Sequence, residues 1–161
     1  MQEIIRKLRA QDWPFNVGLS DAEIRTFERR IGCKLPLEVR ALYADHDGVE
    51  EHGDHRLFHL MSHESAVEFN AMKEENSIAF CGEDIFDVEG DDPARVFWSD
   101  FNSNYAGVLI SGPDAGSVFI FDHDDPQLTV RYDSVRSFLE ALADAAGTDQ
   151  SWYDLPTDHG D

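Results

Sequence analysis

Five of the seven histidines, at positions 46, 52, 55, 59 and 63, fall within eighteen residues of the chain. Histidine exchanges a proton near neutral pH more readily than other side chains, and it is the commonest metal ligand. The segment nevertheless contains no HExxH motif, and neither Cys33 nor Cys81 lies in a CxxC pair or at zinc-ligand spacing from a histidine. No nucleophile with a paired base is apparent. The histidines therefore predict no catalytic or dedicated metal site, and a pH-sensitive surface or weak adventitious metal binding is the alternative interpretation.

A second group with chemical potential is Asp122-His123-Asp124-Asp125, which combines carboxylates with an imidazole. It follows a predicted strand, in which neighbouring side chains point to opposite faces, and Pro126 then favours a turn. We interpret this group as the end of a strand rather than a metal or acid–base centre. The sequence thus predicts no catalytic, metal-binding or cofactor-binding residue.

Acidic residues form the strongest candidate binding surface. Six of the ten residues from 83 to 92 are Asp or Glu, and a smaller acidic group lies at positions 50–54. Phe86 could supply the apolar anchor that a charged rim alone lacks. The alternative is a solvated loop with Ile85 and Phe86 packed against the body. The residues predicted to bind a partner are Glu50, Glu51, Asp54, Glu83, Asp84, Phe86, Asp87, Glu89, Asp91 and Asp92.

The acidity extends beyond these two groups. Asp and Glu number 33 against 13 Lys and Arg, which gives a formal charge of −20. Residues 1–40 hold eight basic and six acidic side chains, whereas residues 41–161 hold five basic and 27 acidic. Such a body is poorly suited to nucleic acid, since phosphate contacts need a basic face, but it can steer a cationic protein. Acidity that serves only solubility or salt adaptation is the alternative interpretation.

Hydrophobic periodicity predicts the elements that must position these residues. A capping-box pattern from Ser20 to Glu23 and a stop at Gly32 define the clearest helix, and Pro36 is predicted as the first residue of the next. Further helices are expected at 2–10, from Ser62 and from about Asp133. Helices followed by an antiparallel meander of about four to five strands and a closing helix indicate the α+β class. The strand candidates are residues 56–60, 78–81, 95–99, 106–111, 117–122 and 128–132.

The 161 residues predict one domain over residues 1–146, with its core at about 17–145 and an acidic tail at 147–161. Trp152, Tyr153 and Leu155 could pack the tail back onto the body. No apolar run approaches the ~20 residues of a membrane span, and the N-terminus lacks a secretory apolar segment, so we expect a cytoplasmic protein. Trp98 is expected to lie in the core on one face of its strand and to be partly exposed on the other. The predicted core residues are Ile24, Phe27, Leu35, Val39, Leu42, Phe119, Phe121, Phe138 and Leu142.

The run from Leu19 to Tyr43, followed by Asp47-Gly48, resembles the opening of the SUKH superfamily. This superfamily includes fungal Smi/Knr cell-wall regulators and many bacterial toxin-immunity proteins. The resemblance covers about residues 17–145. Its features are a helix with Ile24 and Phe27, the Gly32 stop, the Leu35-Pro36 pair, the Leu42-Tyr43 to Gly48 helix end, a strand with Trp98, a strand ending at Phe121-Asp122-His123-Asp124, and a closing helix with Phe138 and Leu139.

This resemblance implies a binding domain rather than a catalyst. Bacterial members are typically encoded beside polymorphic toxins, many of them nucleases, and neutralise them by direct contact. The partner implied is a cognate toxin, expected to be basic because a nuclease presents a cationic cleft to phosphate. The alternative is a regulatory or scaffold module of the Smi/Knr kind that binds a cellular protein. The sequence leaves the oligomeric state open.

Overall fold

A computed structural model describes residues 1–75, 94–124 and 129–158, with side chains in the first range up to residue 72. The predicted strand at 78–81 lies outside these residues. Five helices and five strands occur in the described parts of the chain. Their order is α1 (Gln2–Arg9), α2 (Asp21–Ile31), α3 (Leu37–Asp45), β1 (His59–Leu60), α4 (His63–Glu75), β2 (Ala94–Ser99), β3 (Tyr105–Leu109), β4 (Val118–Phe121), β5 (Thr129–Tyr132) and α5 (Val135–Ala145), followed by a short 3₁₀ helix (Trp152–Asp154).

Local capping determines where the N-terminal helices begin and end. The Ser20 hydroxyl accepts a hydrogen bond from the Glu23 amide, and the Glu23 carboxylate accepts one from the Ser20 amide, which completes the predicted capping box. Gly32 ends α2 in the left-handed conformation, with φ of 76°. The expected role of Pro36 is wrong by one position, because Pro36 is the N-cap of α3 and Leu37 is its first residue.

The sheet is an antiparallel meander in which chain neighbours are also sheet neighbours, in the order β1-β2-β3-β4-β5. The α+β prediction is therefore confirmed. The first strand is shorter than expected, since it contains only His59 and Leu60 of the predicted 56–60. The Arg56 carbonyl instead accepts a hydrogen bond from the Trp152 amide at 2.7 Å, so that this part of the chain pairs with the C-terminal segment and does not extend β1.

The core lies on both faces of the central strands. Every residue predicted to be in the core is buried, but the expected partial exposure of Trp98 is wrong, because only 1% of its surface is accessible. Phe97 faces Tyr43 of α3 at a ring distance of 6.5 Å, whereas Trp98 meets Phe138 of α5 at 5.0 Å. Helices therefore cover β2 on both sides.

The segment after α5 also contacts this core. Trp152 packs against Phe58 at 5.1 Å, and its indole Nε1 donates to the Asp100 carboxylate at 3.2 Å. Leu155 is buried as well, while Tyr153 remains half exposed. The expected return of this segment to the body is thus confirmed for Trp152 and Leu155. Within the described ranges, no helix is both long and apolar enough to cross a membrane.

Candidate protein-binding groove

A groove of about 500 Å³ lies between α4, the ends of β2 and β3, and the chain on either side of Val49. Its volume falls within the roughly 300–1,000 Å³ of ligand-binding clefts. The groove brings together Glu50 and Glu51, two of the predicted partner-binding residues, with aromatic and sulfur-containing side chains. Its lining residues are Asn16, Val49, Glu50, Glu51, Met61, Ser62, Ser65, Glu68, Phe69, Met72, Ser99, Phe101 and Tyr105.

Three exposed carboxylates, those of Glu50, Glu51 and Glu68, stand around this groove. None of the three forms an ion pair with a residue that the structure describes, and the described part of the lining contains no Lys or Arg. Glu68 nevertheless has a cation nearby, because the pKa of Arg30 is raised mainly by its hydrogen bond to Glu64 and in part by the charge of Glu68. Many other acids are paired, including Glu64 with Arg30. The described lining therefore carries three carboxylates and no basic side chain, and Arg30 offsets part of the charge of Glu68 from outside the groove.

One wall of the groove is formed by Phe101, whose backbone is unusual. Its φ of 60° lies in the left-handed region, which costs a non-glycine residue about 1–3 kcal/mol. The Ser99 hydroxyl accepts the Phe101 amide at 3.0 Å and helps to fix this conformation. The Phe101 ring stacks on His59 at 5.2 Å, so that one face of the ring is covered inside the protein. Phe101 is therefore a preset part of the groove wall.

Asp100 holds the turn that presents Phe101. Its carboxylate accepts hydrogen bonds from the amides of Asn102 and Asn104, from the Asn104 side chain at 2.6 Å and from the Trp152 indole. Asp100 is almost completely buried. These four hydrogen bonds compensate for the hydration that the carboxylate loses on burial. This single side chain thus connects the groove wall to the C-terminal segment.

The third predicted acid of this region, Asp54, lies outside the groove. Its carboxylate pairs with Arg56 at 3.0 Å, and this hydrogen bond is the main cause of a lowered pKa for Asp54. The remaining predicted binding residues lie outside the described residues. They are Glu83, Asp84, Phe86, Asp87, Glu89, Asp91 and Asp92.

Two of the clustered histidines lie behind the groove wall. The His59 Nε2 donates to the Asp54 carbonyl at 3.0 Å, whereas its Nδ1 is buried without a hydrogen-bond partner among the described residues. Burial, with a smaller effect of nearby His52, lowers the pKa of His59 to about 4. His52 and His59 lie 4.6 Å apart and both contact Trp13 and Phe101. Their main role is therefore to pack an aromatic cluster.

The other described histidines are dispersed. His46 is buried against Phe15 and beside Asp45, and burial is the main cause of its lowered pKa. His63 begins α4, and both its amide and its Nδ1 lie 2.7 Å from the Asp47 carboxylate, an arrangement that caps the helix. His55 is exposed and lies outside β1, whereas His59 is a buried residue of that strand. The six histidines that the structure describes do not converge on one reactive centre.

The acidic group that follows β4 also differs from expectation. Because β4 ends at Phe121, Asp122, His123 and Asp124 are in a turn, and strand alternation does not separate them. Their potential ligand atoms lie within 4.8 Å of one another, and the Asp124 amide donates to the Asp122 carboxylate. The side chains of His123 and Asp124 are exposed, a setting in which acidic groups commonly occur without a metal. Asn104 Oδ1 orients His123, because it accepts hydrogen bonds from the His123 backbone amide and from His123 Nδ1.

The fold is an α+β domain that carries an acidic, partly apolar surface groove. The sequence pattern of the SMI1 / KNR4 family (SUKH-1) matches residues 18–141, which is most of the chain. The protein therefore belongs to the SMI1 / KNR4 family of SUKH domains. A comparison with curated protein sequences found no match. SUKH domains are in general binding or immunity domains rather than catalysts.

Proposed function

We propose that this protein is an immunity protein that binds and neutralises a cognate polymorphic toxin by direct contact in the cytoplasm. Membership of the SUKH family is consistent with such a role. The partner is a basic protein domain, most simply a nuclease, whose cationic cleft or rim meets the acidic surface of this chain. The proposal includes the acidic positions from 83 to 92 as part of that surface.

The observation that carries this proposal is the groove with its three carboxylates, Glu50, Glu51 and Glu68, none of which forms an ion pair with a described residue. Charged rims that surround an apolar floor are typical of protein interfaces, in which the apolar part supplies affinity and the charges supply specificity and speed. The chain as a whole carries a formal charge of −20, so its long-range field has the same sign as the groove. When two partners have electrostatic potentials of opposite sign, their association rate constant rises towards ~10⁸–10⁹ M⁻¹s⁻¹ at low salt.

Binding without catalysis is the form of neutralisation that we propose. The described histidines take part in packing, in helix capping and in a surface turn, and each lies in a different setting from a nucleophile–base pair. A carboxylate surface can occupy a cationic active site and thereby exclude the phosphate of the toxin's substrate. The inhibitor then needs only shape and charge complementarity.

The test uses the products of genes that neighbour the one encoding this protein. Each is purified and titrated with this protein by calorimetry, and each is also expressed in cells with and without it. A toxic neighbour that binds below micromolar concentration and loses its toxicity on co-expression is the expected result. Toxic neighbours that neither bind at micromolar concentration nor lose toxicity would contradict the proposal.

The second candidate is a regulatory or scaffold module of the Smi/Knr kind, which the match to the SMI1 / KNR4 family also favours. This function uses the same groove but a cellular partner that is not a toxin. Gene neighbourhood separates the two candidates, because an adjacent toxin gene is expected only for an immunity protein. Capture of a non-toxic partner whose binding requires Glu50 and Glu51 would support the scaffold function.

A further inference from the structure

We propose that the groove binds an extended segment of its protein partner through an arginine side chain, which lies against Phe101 between the carboxylates of Glu50, Glu51 and Glu68. This inference rests on the proposed function for the existence of a basic protein partner, and it adds the residue type and the place of contact.

The charges of the lining favour a cation. Among the described residues, three carboxylates and no basic side chain line the groove, and none of the three carboxylates forms a described ion pair. The Ser62 and Ser65 hydroxyls are hydrogen bonded to each other at 2.9 Å, and they add neutral polar surface rather than charge. A bound cation would therefore meet the carboxylates of Glu50 and Glu51 on one side and that of Glu68, whose charge Arg30 partly offsets, on the α4 side.

The aromatic wall favours arginine over lysine. Because His59 covers one face of the Phe101 ring, a bound group can reach only the other face or the ring edge. A planar guanidinium stacks on an aromatic face and can still direct its N–H groups sideways to carboxylates, which a compact ammonium does less well. The protein itself contains such a contact, since the Arg9 guanidinium lies 4.7 Å from the centre of the Phe15 ring.

The chain beside the groove favours recognition through side chains rather than strand addition. The Val49 amide donates to the Leu60 carbonyl at 2.9 Å, and the Glu50 amide donates to the Pro14 carbonyl at 3.0 Å. Phe15 forms a further bridge with Val49. These bonds already occupy the backbone at the edge of β1. A partner segment would therefore bind by inserting a side chain into the groove.

The direct test is an NMR titration of the isotope-labelled protein with acetyl-Gly-Arg-Gly-amide, followed by its lysine and citrulline counterparts. We expect saturable amide shifts at Glu51, Ser65 and Phe101 with the arginine peptide, an affinity lower by about threefold or more for lysine, and no saturable shift for neutral citrulline. Equal affinity for arginine and lysine, or shifts spread evenly over the acidic surface, would overturn the proposal.

Matched variants separate the groove from the general charge. The triple variant E50Q/E51Q/E68Q removes three charges from the groove, and D12N/D114N/D149N removes three exposed charges elsewhere. We expect at least ~10-fold weaker peptide binding for the groove variant and less than about twofold for the control, since only close charges form strong hydrogen bonds. Equal losses in both variants would contradict the assigned site.

Two further results keep this inference separate from the proposed function. Phe101→Gly removes the ring while glycine accepts the positive φ, and circular dichroism with urea unfolding establishes that the variant is folded. We expect it to lose peptide binding although all carboxylates remain. A toxin that binds the parent and the groove variant equally would refute the inference and leave the immunity function standing. Binding of the arginine peptide in the groove, together with the absence of any toxic partner, would support the inference and refute the immunity function.

Discussion

Asp100 is the residue on which the shape of the groove wall depends most. Its buried carboxylate accepts four hydrogen bonds from two amides and two side chains, and it supports Phe101 in a strained conformation. In Asp100→Asn, an NH₂ group would face donors where an oxygen now accepts. We expect a loss of about 2–3 kcal/mol in the free energy of unfolding, measured by urea denaturation. Asp114→Asn is the control, and a loss below about 0.5 kcal/mol in D100N would contradict this role.

His59 gives the folded state a pH dependence of defined sign. Its pKa in the folded protein is about 4, below the ordinary value of 6.5, mainly because of burial and secondarily because of His52. Between these values the unfolded chain binds a proton that the folded protein excludes, so stability falls as pH decreases from 6.5 to about 4. The full effect is about 3 kcal/mol, since one pKa unit corresponds to ~1.4 kcal/mol.

Urea unfolding of the parent and of His59→Gln at pH 7 and pH 5 measures this effect. Asp54 and Asp100 also face His59 and favour its charged form, but burial outweighs them. We expect the parent to lose more stability than the variant between the two pH values. His123→Gln is the control, because His123 lies in an exposed turn. An equal pH dependence in parent and H59Q would exclude His59 as the source.

At the scale of elements, the segment after α5 is part of the folded body. Trp152 contacts Phe58, donates to Asp100 and, through its amide, bonds to the Arg56 carbonyl. We expect Trp152→Ala to cost about 3–5 kcal/mol, in the range of buried aromatic truncations. Trp152→Phe should cost less because it keeps the apolar contact and loses only the indole bond. Thermal unfolding checks both, and a W152A midpoint within about 1 °C of the parent would contradict this packing.

The elements also show which parts of the fold the sequence could predict. The capping box at Ser20 and the stop at Gly32 are local signals, and both helix ends follow them. The burial of Trp98 and the shortening of β1 depend on distant partners, Phe138 and Trp152, whose positions no local pattern reveals. Fold class follows from the order of elements, whereas which strand faces are covered follows from tertiary packing.

The candidate site could be predicted only in part for the same reason. The charge pattern indicated Glu50 and Glu51, because exposed acids are visible in the sequence itself. Glu68 and Phe101 were missed. Glu68 is an ordinary helix residue whose place beside the groove depends on how α4 packs, and Phe101 is presented by a turn that Asp100 stabilises. The residues Asn102-Ser103-Asn104 are typical of a turn, but they carry no information about where the preceding aromatic ring points.

For the whole molecule, the decisive quantity is the distribution of its charge of −20. If the acids at 83–92 contact the toxin, reversal of Asp84, Asp87, Asp91 and Asp92 to Lys should lower the association rate by more than about tenfold and weaken its dependence on salt.

The control reverses four exposed acids outside the groove, Asp12, Asp114, Glu140 and Asp149, and changes the net charge equally. Stopped-flow association with the toxin that binds, at several salt concentrations, measures both rates. If only the overall charge of the protein matters, both variants associate more slowly by the same factor. If the acids at 83–92 contact the toxin, only the first variant associates more slowly, because salt at physiological ionic strength screens charges that lie more than about 8 Å away. Equal rates in parent and both variants would refute electrostatic capture by this surface.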